Sequence, residues 1–286
     1  MRSLRSAVVA SLRNRGRALP ARHLTAASEA RPREVDLHRY AQPRTLVTKR
    51  VPVPGDSDKL AFTCDGFLST YEAERLIAFS ERRGFEPALV NIGAGRQAYV
   101  PESRRCSRSL IDSEFMAAAM WRRLRPLLPR AFTCPRERDG RGGDDERSAR
   151  FDDDSASFDD GMRFGGRRWR AVGLNERLRF FKYEPGDYFR PHSDGRFTEG
   201  SDDGIYLASA PTSFLTVMVY LNAPERGGDT RFLPPYGGGV AVAPAAGSAL
   251  IFDHRLRHEG CMLEAGLKYA IRTDVMFVPC DEGDAS

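Results

Sequence analysis

Short apolar runs separated by turn residues dominate the C-terminal half of the chain. They are rich in β-branched and aromatic residues and are punctuated by Pro-Gly, Gly-Gly and Asn. The runs cover residues 178–183, 214–221, 229–232, 240–242, 249–252 and 269–278. Many short strands without intervening helices predict a mainly β sandwich or barrel. Their number and spacing favour a double-stranded β-helix, the cupin-like jelly roll.

The N-terminal half carries the periodicity of supporting α-helices. Ser69-Thr70-Tyr71-Glu72 has the form of a capping box before an apolar helical face, and Gly84 is placed to end that helix. A second helix is predicted over residues 112–128, where the apolar side chains form one stripe. We interpret that stripe as a face packed on the core.

Shifts in composition divide the chain into four parts. Residues 1–55 are a basic leader and linker, and residues 56–133 are the helical support. Residues 134–168 are rich in Asp, Arg, Gly and Ser and poor in aliphatic side chains, which predicts a disordered acidic insertion. Residues 169–280 are the predicted jelly-roll core.

The net charge of +5 does not indicate a nucleic-acid partner, because of where the charge lies. Residues 1–28 contain six arginines and no acidic residue, so removing those six charges leaves −1 for the rest of the chain. A body this close to neutrality offers no basic footprint for nucleic acid. No stretch approaches the roughly 20 apolar residues that cross a bilayer, so no membrane span is expected.

The basic leader resembles an organelle transit peptide, because it is rich in arginine, contains serine and lacks acids. It therefore predicts localisation in the mitochondrion or another organelle; a disordered basic tail on a cytoplasmic protein is the alternative. The five cysteines are odd in number and irregularly spaced, with no Cys-x-x-Cys pair. That pattern argues against a disulfide framework and a structural zinc site.

One group of residues carries the chemistry. His192-Ser193-Asp194 is followed 66 residues later by His258. Two histidines and one carboxylate are the ligands of the facial triad that binds Fe(II) and leaves coordination positions open. Residues two apart on a strand share one face, so we expect His192 and Asp194 to project together and His258 to come from a distant strand.

The surrounding segments resemble the prolyl 4-hydroxylase group of Fe(II)/2-oxoglutarate dioxygenases over about residues 60–280. The segments that carry this resemblance are RFFKYEPGDYFRPHSDGRF, SFLTVMVYLNAPERGGDTRFLP, VAVAPAAGSALIFDHRLRHEG and GLKYAIRTDVMF. It implies that His192, Asp194 and His258 are the catalytic iron ligands and that 2-oxoglutarate and O2 are co-substrates. It also implies hydroxylation of a prolyl residue in a protein or peptide, release of succinate, and L-ascorbate (vitamin C) as the reductant of the iron.

The same resemblance assigns residues to the co-substrate pocket. Lys268 matches the lysine that anchors the distal carboxylate of 2-oxoglutarate. Arg272 is an alternative anchor, because positions 268 and 272 share one strand face and a guanidinium binds a carboxylate well. Tyr183 and Tyr220 match tyrosines that line the pocket, and Thr216 is a weaker candidate.

Two positions depart from the family pattern. Phe189 stands where many prolyl hydroxylases have tyrosine, so a hydroxyl is missing there. His254 precedes His258 by four residues, but the family has no metal ligand at that place. Two other functions stay open: an oxygenase acting on a non-prolyl substrate (another side chain, a free amino acid or a modified base), and a cupin-like binding module without turnover. The sequence predicts no oligomeric state.

Overall fold

The computed structural model describes residues 35, 37, 45–56, 59–91, 96–128, 168–200, 210–234 and 238–280. The predicted leader lies outside these residues. So do residues 129–167, which hold nearly all of the predicted acidic insertion.

Eighteen strands run through the described part of the chain. In chain order they are β1 (Val47–Arg50), β2 (Ala61–Asp65), β3 (Glu86–Pro87), β4 (Val90–Asn91), β5 (Gln97–Ala98), β6 (Arg104–Arg105), β7 (Ser107–Asp112), β8 (Arg168–Leu174), β9 (Arg177–Tyr183), β10 (Tyr188–His192), β11 (Thr212–Tyr220), β12 (Arg226–Gly227), β13 (Thr230–Phe232), β14 (Val240–Val242), β15 (Ala249–Asp253), β16 (His258–Gly260), β17 (Leu263–Ala265) and β18 (Lys268–Cys280).

Two antiparallel sheets form the core. The larger has the strand order β1-β2-β15-β11-β18-β9-β7-β3, with β8 also paired to β18. The smaller has the order β14-β13-β16-β10-β6, and two-stranded ribbons join β12 to β17 and β4 to β5. This is the mainly β, double-stranded β-helix (jelly-roll) architecture that the sequence pattern predicts, and the fold class is confirmed.

The central strands of the larger sheet divide their side chains between two apolar layers. On β11, Leu215, Val217 and Val219 pack in the layer that contains the helices. Tyr220, on the opposite face, packs with Phe232 of the smaller sheet. Because successive strand residues point to opposite faces, alternate residues of β11 and β18 face the smaller sheet. That inner face carries Met218, Lys268, Ala270 and Arg272, which line one side of a pocket between the two sheets.

Two helices cover the outer face of the larger sheet. They are α1 (Thr70–Arg83) and α2 (Glu114–Leu124), and a short 3-10 turn (Arg125–Leu127) follows α2. The predicted capping box is confirmed, because Ser69 and Glu72 exchange side-chain and backbone hydrogen bonds at the start of α1. The predicted second helix is confirmed within narrower bounds and begins after the N-cap residue Ser113.

The segment predicted as helical support contributes strands as well as helices. Strands β2 and β7 join the larger sheet on either side of its centre, and β6 is the edge strand of the smaller sheet. Strand β1, which lies in the predicted linker, pairs with β2. The other strands of the segment, β3, β4, β5 and β6 among them, are only two residues long, so sequence periodicity does not reveal them.

Two further findings concern the described residues. Neither helix is long and apolar enough to cross a membrane. Cys64, Cys106 and Cys261 are free thiols, as the irregular cysteine spacing predicts.

Candidate metal centre and adjoining pocket

Three side chains with metal-binding atoms converge on the smaller sheet. His192 ends β10 and His258 begins β16, and the two are direct register partners. Asp194 follows two residues after His192. The ligand atoms of all three lie within 4.8 Å of one another. Residues 66 positions apart thus form one compact group, which could hold a metal ion.

The expectation that His192 and Asp194 project from one strand is wrong in one respect. Strand β10 ends at His192, and Asp194 lies in the irregular segment after it. The main-chain N–H of Asp194 donates to the carbonyl oxygen of His254 at 2.9 Å. That bond joins the segment after β10 to the connection between β15 and β16, and the Asp194 carboxylate reaches the histidines from this segment.

Backbone carbonyls orient both imidazoles. The Nδ1 atom of His192 lies 2.7 Å from the carbonyl oxygen of Arg190, and Nδ1 of His258 lies 2.9 Å from that of Leu256. A carbonyl only accepts, so each Nδ1 carries the proton and each Nε2 keeps its lone pair. The Nε2 atoms lie 3.7 and 3.8 Å from the two oxygens of Asp194.

The charge states suit a divalent metal. Burial, followed by the neighbouring His258, lowers the pKa of His192 to about 3. Burial also lowers the pKa of His258. Burial raises the pKa of Asp194, but Arg272 and three histidines lower it by more than burial raises it. The net pKa is therefore well below the ordinary value, and the carboxyl is ionised. Two neutral imidazoles and one carboxylate are the donor set that Fe(II) takes in a facial triad, and the residues therefore fit the metal.

Two side chains support the Asp194 carboxylate. The Thr216 hydroxyl donates to Oδ2 at 2.6 Å, and Nη1 of Arg272 lies 2.8 Å from Oδ1. Arg272 also donates from Nη2 to Asp274 at 3.2 Å, and Arg179 pairs with the same carboxylate at 3.0 Å. The structure thus places Thr216 and Arg272, both expected to contact the co-substrate, on the candidate metal ligand.

A pocket that is partly open to solvent adjoins the three ligands. Its walls come from both sheets, and the lining residues are Arg104, Phe181, Tyr183, Phe189, His192, Asp194, Met218, Thr230, His258, Glu259, Gly260, Lys268, Ala270 and Arg272.

Lys268 carries a buried ammonium in this pocket. The residue is 4% exposed, and its Nζ donates to the carbonyl oxygen of Gly228 at 2.5 Å. Nζ also lies 5.0 and 5.5 Å from the ring centroids of Tyr183 and Tyr220. Burial lowers the pKa of Lys268 to about 8. Among the described residues, no carboxylate lies within ion-pair distance of it, so it is free to receive an anion.

The aromatic candidates take different positions. Tyr183 lines the pocket, whereas the buried hydroxyl of Tyr220 shares a 2.8 Å hydrogen bond with Thr230 and is already satisfied. Phe189 stacks on His192 with ring centroids 3.6 Å apart. His254 lies beside Asp274, with Nε2 3.5 Å from its carboxylate, rather than among the three ligands.

Arg104 is a pocket residue that sequence reasoning missed. It lies on β6, and its guanidinium carbon is 4.2 Å from the ring centroid of Phe181 and 4.4 Å from that of Phe189. A two-residue strand has no periodicity to read, and the stacking rings lie far along the chain. The sequence holds no signal that would have selected Arg104.

Comparison with known families identifies this core. Residues 178–273 match the model of the 2OG-Fe(II) oxygenase superfamily. This part of the chain is a 2OG-Fe(II) oxygenase domain. The match spans all three candidate ligands and Lys268, and the prolyl 4-hydroxylase-like resemblance of the motifs agrees with it.

The oxygenase domain also resembles solved structures. A viral collagen prolyl hydroxylase from Paramecium Bursaria Chlorella virus-1 is 18% identical with a TM-score of 0.45, covering 78% of this chain and 98% of that one. A Pseudomonas putida prolyl-4-hydroxylase is 16% identical with a TM-score of 0.43, covering 75% and 91%. A Trichoplax adhaerens prolyl hydroxylase in complex with a peptide fragment is 16% identical with a TM-score of 0.47, covering 75% and 82%. No curated protein sequence matches the chain.

Proposed function

We propose that this protein is an Fe(II)- and 2-oxoglutarate-dependent dioxygenase that hydroxylates a prolyl residue in a protein substrate, with conversion of 2-oxoglutarate to succinate. One observation carries the proposal: a His-Asp-His group with free Nε2 atoms shares a pocket with a buried lysine that has no carboxylate partner among the residues the structure describes. A metal-binding end and a cationic end are what a dicarboxylate with one chelating end requires.

Each residue has a role in this proposal. His192, Asp194 and His258 bind the iron, which when bound supplies the oxidising chemistry with O2. Thr216 and Arg272 hold the Asp194 carboxylate in position, as partners of metal ligands commonly do. Lys268 binds the distal carboxylate of 2-oxoglutarate, and Tyr183 and Tyr220 form the walls around its ammonium.

The prolyl substrate rests on the resemblance of the sequence motifs to prolyl 4-hydroxylases. An oxygenase with a non-prolyl substrate would share the same metal centre, so the residue modified is the distinguishing observation. A binding module without turnover is disfavoured by the intact ligand set and the buried Lys268. L-ascorbate is proposed as the reductant on the same resemblance, and its addition should prolong turnover.

Release of succinate from 2-oxoglutarate tests the reaction. Purified protein with Fe(II), O2 and 2-oxoglutarate should form succinate, and His192→Ala or Asp194→Ala should reduce this to background because the triad loses a ligand. Arg105→Gln, an exposed change on β6, is the matched control. Mass spectrometry of treated peptides then locates the +16 Da shift. Equal turnover by the parent and the ligand variants would show that the metal centre is assigned wrongly.

A further inference from the structure

We propose that Arg104 is a second anion site, which binds a carboxylate of the substrate that is hydroxylated. The inference rests on the proposed function and narrows its substrate class: the oxidised carbon lies close to an acidic group. The site has three features: a rigidly held guanidinium, no carboxylate partner for it among the described residues, and a position in the same pocket as the candidate metal ligands.

The fold holds Arg104 firmly at the wall of the pocket. Its backbone pairs with Phe189 at the edge of the smaller sheet, and the residue is only 8% exposed. The guanidinium contacts the rings of Phe181, from the larger sheet, and Phe189, and its Nε donates to the Cys106 sulfur at 3.2 Å. Two aromatic faces fix a planar cation without neutralising it. The phenylalanine that departs from the family pattern is one of these two faces.

Among the described residues, Arg104 differs from the other largely buried arginines because it has no acidic partner. Arg108, Arg123, Arg179 and Arg272 each lie within ion-pair distance of a carboxylate. No carboxylate of the described residues lies within that distance of Arg104. A buried cation without a counter-ion is costly to the protein, and such a cation in a cavity indicates an anionic ligand.

The co-substrate alone does not satisfy the charges of the pocket. Lys268 and Arg104 are both cationic and have no carboxylate partner in the described part of the chain, whereas Arg272 is neutralised by Asp194 and Asp274. In the proposed function, 2-oxoglutarate places its distal carboxylate on Lys268 and its other carboxylate at the metal. Both carboxylates of the co-substrate then have partners, and Arg104 requires a third anionic group. The remaining reactant is the substrate.

The position of Arg104 limits where that group lies. The guanidinium carbon is 4.4 Å from the Phe189 centroid, which is 3.6 Å from the His192 centroid. The guanidinium carbon of Arg104 therefore lies at most 8.0 Å from the ring centroid of His192, a candidate iron ligand. Two residues of extended chain span roughly 7 Å. The carboxylate thus belongs to the oxidised residue itself or to an Asp or Glu within about two positions of it.

Affinity selection tests the inference without requiring turnover. The full-length protein, loaded with Mn(II) and 2-oxoglutarate, is incubated with pooled heptapeptides that are acetylated and amidated at their ends. The central residue is varied, and each flanking position carries Asp, Glu, Asn, Gln, Ala or Lys. Retained peptides are quantified by mass spectrometry. A parallel arm compares free L-proline with prolinamide, which separates an α-carboxylate from a neighbouring side chain.

The expected result is at least about tenfold stronger retention of an acid over its isosteric amide, since a buried charge pair is worth more than that in binding. Arg104→Gln should abolish this preference, while Arg105→Gln on the same strand should leave it intact. Arg104→Gln should change the Kd of 2-oxoglutarate less than about twofold, whereas Lys268→Gln should raise it more than about tenfold.

Three outcomes overturn the inference. The first is equal retention by the parent protein of the peptides with an acid and those with its isosteric amide, including no retention of either. This outcome does not depend on the folding of any variant. The second is an acid preference that persists in Arg104→Gln. The third is an Arg104→Gln variant, folded by circular dichroism, that loses 2-oxoglutarate as Lys268→Gln does, since Arg104 would then serve the co-substrate. Failure of the proposed function is separate and appears as absent succinate release.

Discussion

Lys268 is buried, and burial disfavours the charged form of its side chain. Burial lowers the pKa of this ammonium to about 8, well below the ordinary value for lysine. Because the protonated form binds a carboxylate, a bound co-substrate must raise that pKa again. Affinity for 2-oxoglutarate is therefore complete below pH 8 and is lost as the pH rises above it.

The lowered pKa of Lys268 predicts how the affinity for 2-oxoglutarate changes with pH. Between pH 7 and pH 9, the Kd of 2-oxoglutarate should rise about tenfold, because above the pKa each pH unit removes nine-tenths of the remaining protonated lysine. Calorimetry on the Mn(II)-loaded protein measures it. Lys268→Arg is the control, since a guanidinium stays protonated over this range and its Kd should be flat. A flat profile in the parent protein would mean that Lys268 does not bind the co-substrate.

Lys268 and Arg272 lie on one strand face but contact different partners. Arg272 is engaged by Asp194 and Asp274, whereas Lys268 has no carboxylate partner among the described residues. Lys268→Ala should therefore raise the KM for 2-oxoglutarate much more than Arg272→Ala does. Arg272→Ala should instead weaken metal binding by about 10- to 100-fold, the usual effect of losing a partner of a metal ligand.

Steady-state kinetics and metal titration separate these two effects. If Arg272→Ala raised the KM for 2-oxoglutarate more than Lys268→Ala with metal affinity unchanged, the anchor would be Arg272. The guanidinium would then have to leave its two carboxylates on binding.

At the scale of elements, one ion pair joins the two helices to the N-terminal segment. Glu72 of α1 has a fully buried side chain, and Arg123 of α2 pairs with it at 2.7 Å. Arg123 also donates to the carbonyl oxygens of Leu37 and Phe67 at 2.9 Å. A single side chain therefore fixes how α1, α2 and the start of the domain pack together.

Removing Arg123 should destabilise the fold strongly. Arg123→Ala removes the cation that pairs with the buried Glu72 carboxylate, and removing one member of a buried ion pair costs about 3–5 kcal/mol. Urea denaturation measures the free energy of unfolding. The exposed Arg125, two residues further along, is the matched control, and Arg125→Ala should change stability by less than about 0.5 kcal/mol. A small effect at Arg123 would mean that the helices pack independently of this pair.

The elements that sequence could predict are those with long apolar patterns. Strands β11, β15 and β18 were predicted from their apolar runs, which exist because these strands are almost entirely buried. Helix α1 was predicted because its capping box is a local sequence pattern. Strands β10 and β16 carry polar and ligand side chains in place of an apolar pattern, so the sequence did not give their bounds. It predicted only that His192 and His258 lie on separate strands, because the ligand types and their spacing are visible without an apolar pattern.

At the scale of the whole molecule, the site depends on contacts between distant segments. The bond between Arg272 and Asp194 joins β18 to the segment after β10, and Arg104 stacks on residues of both sheets. Such partners are set by the three-dimensional closure of the jelly roll rather than by local pattern. The sequence therefore predicted the candidate metal ligands and several residues of the pocket, but it did not predict Arg104 or the contacts by which Thr216 and Arg272 support Asp194.

The two sheets contribute opposite ends of the proposed co-substrate site. The candidate metal ligands come from the smaller sheet and from the segment that follows its strand β10, whereas Lys268 begins β18 of the larger sheet. A dicarboxylate held at both ends therefore connects the sheets across the pocket, and its binding should stabilise the fold as a whole.

Thermal denaturation tests this connection. With Mn(II) present, 2-oxoglutarate at 100 times its Kd should add about 2.7 kcal/mol of stability. For a domain of this size that corresponds to a Tm increase of roughly 5–10 °C. Lys268→Gln should keep the increase caused by Mn(II) and lose the one caused by 2-oxoglutarate at the same concentration, because the larger sheet no longer holds the ligand. Asp194→Asn should lose both increases, since the chelating end also needs the metal. A 2-oxoglutarate effect that survives in Lys268→Gln would show that the smaller sheet alone binds the co-substrate.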